Sequence, residues 1–299
     1  MRNRASVLEP EETRAAEARA TEARTALARA LTLGALHGPA ELLPISSSGH
    51  VELVPWLLGW EGVSADPEIR KAFAVALHAG TAVALVVMLR REVTEAIREA
   101  SVESAAVIAL SLLPPVAVGF ALEGPIERFL GRPGTIATGL IIGAAAMAWA
   151  DRAPQEREFA QAKPRDGLWL GVAQACALFP GVSRNGATLT AARLRHFGRI
   201  DAERFSRHVA LPVIGGATAL KCLRLWQHGL PEGAAGPFAV GVVASFASTL
   251  GSTPLIGLVE RDRPLLPFAI YRMTLGGLAL RRLWSRRRAN GPGSAPTMR

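Results

Sequence analysis

Thiols are nearly absent from this chain of 299 residues. Cys176 and Cys222 are the two cysteines, set in apolar surroundings without metal-ligand spacing, which excludes a cysteine metal cluster and leaves them as small core residues. No base stands beside Cys176 in sequence to make it a catalytic thiol. Aromatic residues are few, at 6% of the chain, so Ala, Leu and Val supply most of the apolar mass. The first thirty residues lack an apolar run and alternate Arg and Glu with Ala, which excludes a signal peptide. The stretch from Glu11 to Arg29 is expected to form an exposed helix supported by opposite charges three or four residues apart. Long stretches lack charge altogether. The net charge of +9 is mostly arginine, gathered in the tails and in short spacers that flank apolar segments. That distribution anchors helix ends at lipid headgroups and excludes a nucleic-acid binder, which needs its cations on one soluble face.

What remains is an all-α polytopic membrane protein. Six segments have spanning length: 72–90, 104–122, 134–150, 205–226, 236–258 and 264–284. Two further apolar regions, 28–60 and 167–198, break near their middles at Pro, Gly and Ser. Irregular backbone at membrane depth is tolerated only where it is buried in protein or lines a wet cavity, so each is expected to be a re-entrant hairpin of two short helices. An offset of 137 aligns Gly34 with Gly171, His37 with Gln174, Ser46 with Ser183 and Gly49 with Gly186, and each hairpin precedes three spanning segments. An odd number of crossings per half predicts two inverted repeats, about 28–150 and 167–284. They form one domain over 28–284, between a charged tail helix (1–27) and a basic C-terminal tail (285–299). Basic residues occur on both sides of the spans, so charge does not orient the chain.

Polar groups at membrane depth mark a substrate or ion site. In the first break His37 lies one turn before Glu41, and the two are able to bind a divalent cation or to pair with each other. Ser46-Ser47-Ser48-Gly49-His50 follows. Such serines cap a helix, and the same helix start offers amides to an anion. A serine there can attack phosphorus if Glu41 or His50 takes its proton. The second break places Arg184 between Ser183 and Asn185, with Gly186 and Thr188 following. A guanidinium suits phosphate oxygens and needs an anionic partner, either Glu41 or a substrate. Nucleophile, base and positive charge together suit phosphoryl transfer. Arg272 either adds a phosphate contact or snorkels; His78 is expected to pack between helices, and Lys221 to snorkel.

The residues Glu41–His50 (ELLPISSSGH) and Pro180–Thr188 (PGVSRNGAT), supported by Ala210–Thr218 (ALPVIGGAT) and Pro267–Arg272 (PFAIYR), resemble the undecaprenyl-diphosphate phosphatase family, the bacitracin-resistance type of membrane phosphatase. The resemblance covers about residues 34 to 284. It implies a multi-pass enzyme of the inner membrane, its site on the outer face, that removes the terminal phosphate of undecaprenyl diphosphate to recycle the lipid carrier for cell-wall synthesis. It implies a divalent metal, Mg or Ca, held by Glu41 and His37. By the same motifs, Ser47 is the nucleophile, Glu41 a site carboxylate and base, Arg184 the phosphate clamp, and His50 either aids proton transfer or only holds the loop. Ser46, Ser48, Gly49, Ser183, Asn185, Gly186, Thr188 and Arg272 line the substrate. Two positions depart from the family pattern: His37 replaces Glu or Gln, and Asn185 replaces a common Ser. Hard cations prefer oxygen ligands, so His37 bears on metal choice and on activity. The rival readings are a polyprenyl-phosphate transporter, suggested by the inverted repeats, and a catalytically altered family member.

Overall fold

Residues 10–60, 67–230, 233–259 and 262–289 are described by the computed structural model. The first nine and last ten residues of the two expected tails lie outside them. The described chain is helical, with one isolated bridge between Arg157 and Phe197 and no strand among the described residues. The helices are α1 (Pro10–Leu42), α2 (Ser47–Leu58), α3 (Pro67–Met88), α4 (Arg90–Arg98), α5 (Val102–Leu130) and α6 (Pro133–Ala150). After a spacer come α7 (Pro164–Cys176), α8 (Arg184–Leu194), α9 (Arg199–His228), α10 (Ala235–Gly251), α11 (Ile256–Val259) and α12 (Leu266–Ala289).

Four helical stretches are long and apolar enough to cross a membrane: Glu68–Met88, Val102–Leu122, Pro133–Ala150 and Arg199–Gln227. They coincide with four of the six segments expected from sequence. The fifth, 236–258, is a pair of helical pieces bent by 48° beyond Gly251. The sixth, 264–284, is helical within α12 but does not meet the same measure, because Arg272, Arg281 and Arg282 interrupt its apolar run. Val86, Leu113, Phe120, Ile142, Trp149 and Val243 stand exposed on the outer faces of the helices, a surface suited to lipid. The protein is a membrane protein of several apolar helices.

Small residues set the close packing. α1 lies along α10, and α7 lies along α5. A methyl group added at Gly34 would stand 2.6 Å from the Ala244 Cβ, and one at Gly171 would stand 2.9 Å from the Ser111 carbonyl oxygen, so both helices approach too closely for any larger side chain. Prolines inside these helices free carbonyls that the neighbouring helix satisfies. Pro39 has no N–H to give the Ala35 carbonyl, which instead accepts from Ser248 Oγ of α10 at 2.5 Å. Pro115 likewise frees the Ser111 carbonyl, which accepts from Gln174 Nε2 of α7 at 3.1 Å. α1 therefore runs unbroken through Gly38 and Pro39 up to the first break.

Cys176 departs from expectation. It is exposed on the outer side of α7, whose inner side carries Leu170, Gly171 and Gln174.

Candidate active site

The two polar breaks meet. Each is a sharp turn into a short helix, built the same way. Ser46 (φ 77°) caps α2, its hydroxyl accepting from the Gly49 amide at 3.3 Å. Ser183 (φ 69°) caps α8 and accepts from the Gly186 amide at 3.2 Å. A serine in the left-handed region costs energy, which the surrounding packing must offset. Before Ser183, Gly181 takes φ 92°, and a side chain there would collide with the Ile136 carbonyl of α6.

Between the two helix starts stands Glu41, its side chain 5% exposed at the end of α1. Its Oε2 accepts from Ser47 Oγ at 2.5 Å, and its Oε1 is paired with the Arg184 guanidinium. The first residues of α2 and α8 thus share one carboxylate, with the positive ends of both helix dipoles beside it. Asn185 locks the arrangement: its Nδ2 donates to the Leu42 carbonyl at 3.0 Å, and its Oδ1 accepts from Ser206 Oγ at 3.0 Å. The longer amide at this position spans from α8 to the end of α1. Thr188 is buried behind it, 2.5 Å from Ser206 Oγ.

A cavity of about 1060 Å³ opens onto this centre. Glu41, Ser46, Ser47, Ser48, Ser183, Arg184 and Asn185 line its polar end. Val75 of α3 and Val213, Ile214 and Ala217 of α9 give it apolar walls, and Lys71 and Lys221 line it farther along. Lys221, expected to snorkel, therefore borders the cavity.

Six expected residues stand off the wall: Thr188 and His37, both fully buried, with Gly49, Gly186, His50 and Arg272. Gly49 and Gly186 donate their amides to the caps. His50 is buried, its Nδ1 donating to the Ser46 carbonyl at 2.7 Å and its Nε2 accepting from the Tyr271 hydroxyl at 2.6 Å. Both ring nitrogens are taken, and Glu41 is the group in contact with the Ser47 hydroxyl. Arg272 is fully buried, with Nη2 on the carbonyls of Val182 (2.5 Å) and Gly181 (3.3 Å). It holds the second break from behind.

His37, Glu41 and His78 form a triad able to hold a metal ion, with one donor atom from each within 4.8 Å of the others. His78, assigned to packing on sequence grounds, both contacts His37 edge-on at 4.5 Å and lines the cavity. Tyr271 and His78 are the residues that sequence reasoning missed. Tyr271 sits in a recognised motif, yet only its contact with His50 discloses a role.

Residues 30–278 match the family described as bacitracin resistance protein BacA. The chain is 39% identical over 265 residues to an undecaprenyl-diphosphatase of Pelobacter propionicus, covering 84% of this chain and 95% of that one. It is 39% identical over 274 residues to an undecaprenyl-diphosphatase of Geobacter sulfurreducens, covering 87% and 99%. A further undecaprenyl-diphosphatase, of Chromohalobacter salexigens, is 37% identical over 260 residues, covering 82% and 95%. The match runs through both polar breaks and the helices that carry them, and the chain belongs to the bacitracin resistance protein BacA family.

Proposed function

We propose that this protein is an integral-membrane phosphatase that hydrolyses undecaprenyl diphosphate to undecaprenyl phosphate and phosphate, returning the lipid carrier to cell-wall synthesis. One observation carries the reading: a serine hydroxyl at the start of a helix donates to a nearly buried carboxylate that is itself paired with an arginine, at the polar end of an apolar-walled cavity. The names of the relatives supply the substrate.

In the proposed reaction the polyprenyl chain lies along the apolar wall and the diphosphate reaches the two helix starts. Arg184 turns from Glu41 toward the terminal phosphoryl oxygens, and the amides at the start of α2 add partial positive charge. Ser47 Oγ attacks the terminal phosphorus while Glu41 accepts its proton. The new Ser–O–P bond forms as the bridging P–O bond breaks, and undecaprenyl phosphate leaves with the electron pair. Water then cleaves the phosphoserine. His50 acts by position: with Tyr271 it fixes the Ser46 carbonyl and hence the turn that aims Ser47.

Corresponding features in the two halves support inverted repeats with re-entrant hairpins. The positive-φ caps, the tight glycines at 34 and 171 and the proline-freed carbonyls recur in both halves. Helix packing exchanges in the same sense, α1 on α10 and α7 on α5. On this reading the chain is a multi-pass protein of the inner membrane whose site opens to the outer face.

The test is phosphate release from undecaprenyl diphosphate by purified protein in detergent micelles, where transport has no meaning. Ser47→Ala and Arg184→Ala are each expected to lower release about a thousandfold. Wild-type activity in Ser47→Ala removes its role as nucleophile, and an inactive wild type removes the phosphatase reading in favour of transport or a catalytically altered protein.

A further inference from the structure

The metal expected from family resemblance is Mg or Ca, and the donors do not suit either. Those cations take six or more oxygen ligands. Here two of the three donors are imidazoles. Their hydrogen bonds fix which nitrogen is presented. His78 Nδ1 lies 2.7 Å from the Ala74 carbonyl, which only accepts, so Nδ1 carries the proton and Nε2 the lone pair. His37 Nδ1 lies 2.9 Å from Thr81 Oγ1, which lies 3.2 Å from Thr249 Oγ1, which donates to the Ser245 carbonyl at 2.7 Å. Because that chain ends on a carbonyl, each hydroxyl donates onward and His37 Nδ1 donates into it. His37 Nε2 is left as a bare acceptor, and it has no partner although the residue is fully buried.

A buried acceptor without a hydrogen bond is costly, and a metal ion relieves it. An imidazole whose far nitrogen is held by a carbonyl or hydroxyl, with the lone pair of the near one turned inward, is the arrangement of a metal-ligating histidine. Glu41 retains a free lone pair on each oxygen beyond Ser47 and Arg184. A tetrahedral ion about 2.1 Å from each donor needs them about 3.4 Å apart, and one donor atom of each residue already lies within 4.8 Å of the others, so the side chains draw together around an ion. Three protein ligands beside a cavity are the pattern of an open site rather than a sealed structural one.

We propose that His37, His78 and Glu41 form a site selective for a borderline divalent transition metal of the zinc and cobalt class, against Mg and Ca. The proposal deepens the phosphatase reading, since Glu41 belongs to both, but it is tested without turnover. The full chain in detergent, stripped with a chelator, is titrated with Co²⁺. Bound metal is counted after gel filtration and the visible ligand-field bands of nitrogen-coordinated cobalt are recorded. One Co²⁺ per chain is expected, displaced by Zn²⁺ and retained against a hundredfold excess of Mg²⁺ or Ca²⁺. His37→Gln and His78→Gln should each weaken Co²⁺ at least tenfold, and His37→Glu should let Mg²⁺ compete. Absence of stoichiometric binding, equal displacement by Mg²⁺, or bands unchanged in the folded histidine variants overturns the proposal. The wild-type competition decides the matter even where a variant fails to fold. Ser47→Ala should keep the cobalt bands while losing phosphate release. Wild-type release without stoichiometric cobalt refutes the metal site alone, and Ser47→Ala that keeps both the bands and the release refutes the nucleophile alone.

Discussion

Glu41 answers to two partners, and one substitution separates their demands. Glu41→Gln keeps the shape and an acceptor for the Ser47 hydroxyl but removes the proton acceptor and the charge facing Arg184. General-base catalysis is worth 10²–10⁴-fold, so the kcat for phosphate release should fall by about that range. A fall of less than about tenfold in Glu41→Gln would show that another group takes the proton. Tyr271→Phe makes the complementary case. It deletes only the hydroxyl that His50 Nε2 accepts from, leaves the cavity wall intact, and should lower kcat about tenfold with KM unchanged. An altered KM with unchanged kcat would contradict a positioning role. Glu41, Ser47 and Arg184 were legible in the sequence because charge and hydroxyls are conspicuous in an apolar chain. Tyr271 and the Thr81–Thr249 chain were not, because a Tyr or Thr in a helix announces nothing until a distant residue meets it. His50 was readable only as two alternatives, an aid to proton transfer or a residue that holds the loop, because sequence does not show that its nitrogens bond the Ser46 carbonyl and the Tyr271 hydroxyl.

Among the helices, four spans were legible from hydropathy alone, and the other two expected spans differ from them by a bend and by charge. Bending beyond Gly251 depends on tertiary packing, and α12 carries arginine where a lipid-exposed helix would not. The prolines show the limit more sharply. Sequence marks each as a place where a carbonyl loses its partner but does not say what replaces it. In α1 the replacement is Ser248, and this yields a cycle of two substitutions. Ser248→Ala removes the donor to the Ala35 carbonyl at the exposed edge of the α1–α10 contact and should cost about 1–1.5 kcal/mol, read as a lower Tm in detergent. Pro39→Ala restores a backbone N–H at the position that serves Ala35. In that background Ser248→Ala should cost at least about 1 kcal/mol less. Equal costs in both backgrounds would mean that Ser248 acts only through packing against Gly38.

At the scale of the whole molecule, the spacer between α6 and α7, with four basic and four acidic residues over 151–166, acts as a clasp. Asp151 accepts from Arg199 Nε at 2.8 Å and from the Leu265 amide at 2.9 Å, tying α6 to α9 and to the approach to α12. Arg193 sits buried among the carbonyls of Ala153, Asp151 and Phe197. Asp166, at the start of α7 and outside the spanning segments, accepts from Arg157 at 2.7 and 3.0 Å, from Arg195 at 2.8 Å and from the Lys163 amide at 2.9 Å. Burial pushes its carboxyl up, but the bonds from Arg157, Lys163 and Arg195 outweigh burial and hold its pKa at about 2. The sign of the pH effect follows from that depression. In the unfolded chain the group titrates near its ordinary value, so its stabilising contribution is complete above about pH 4 and is lost as pH falls toward 2. The contribution is on the order of 2 kcal/mol. Asp166→Asn should lower Tm at neutral pH, because it leaves two guanidinium groups without their carboxylate. It should also flatten the decline in Tm between pH 4 and 2, where the wild type loses the stability that the variant never had. A variant whose acid decline matches wild type would assign that decline to other carboxylates and leave Asp166 a hydrogen-bonding group whose charge contributes nothing to joining the halves.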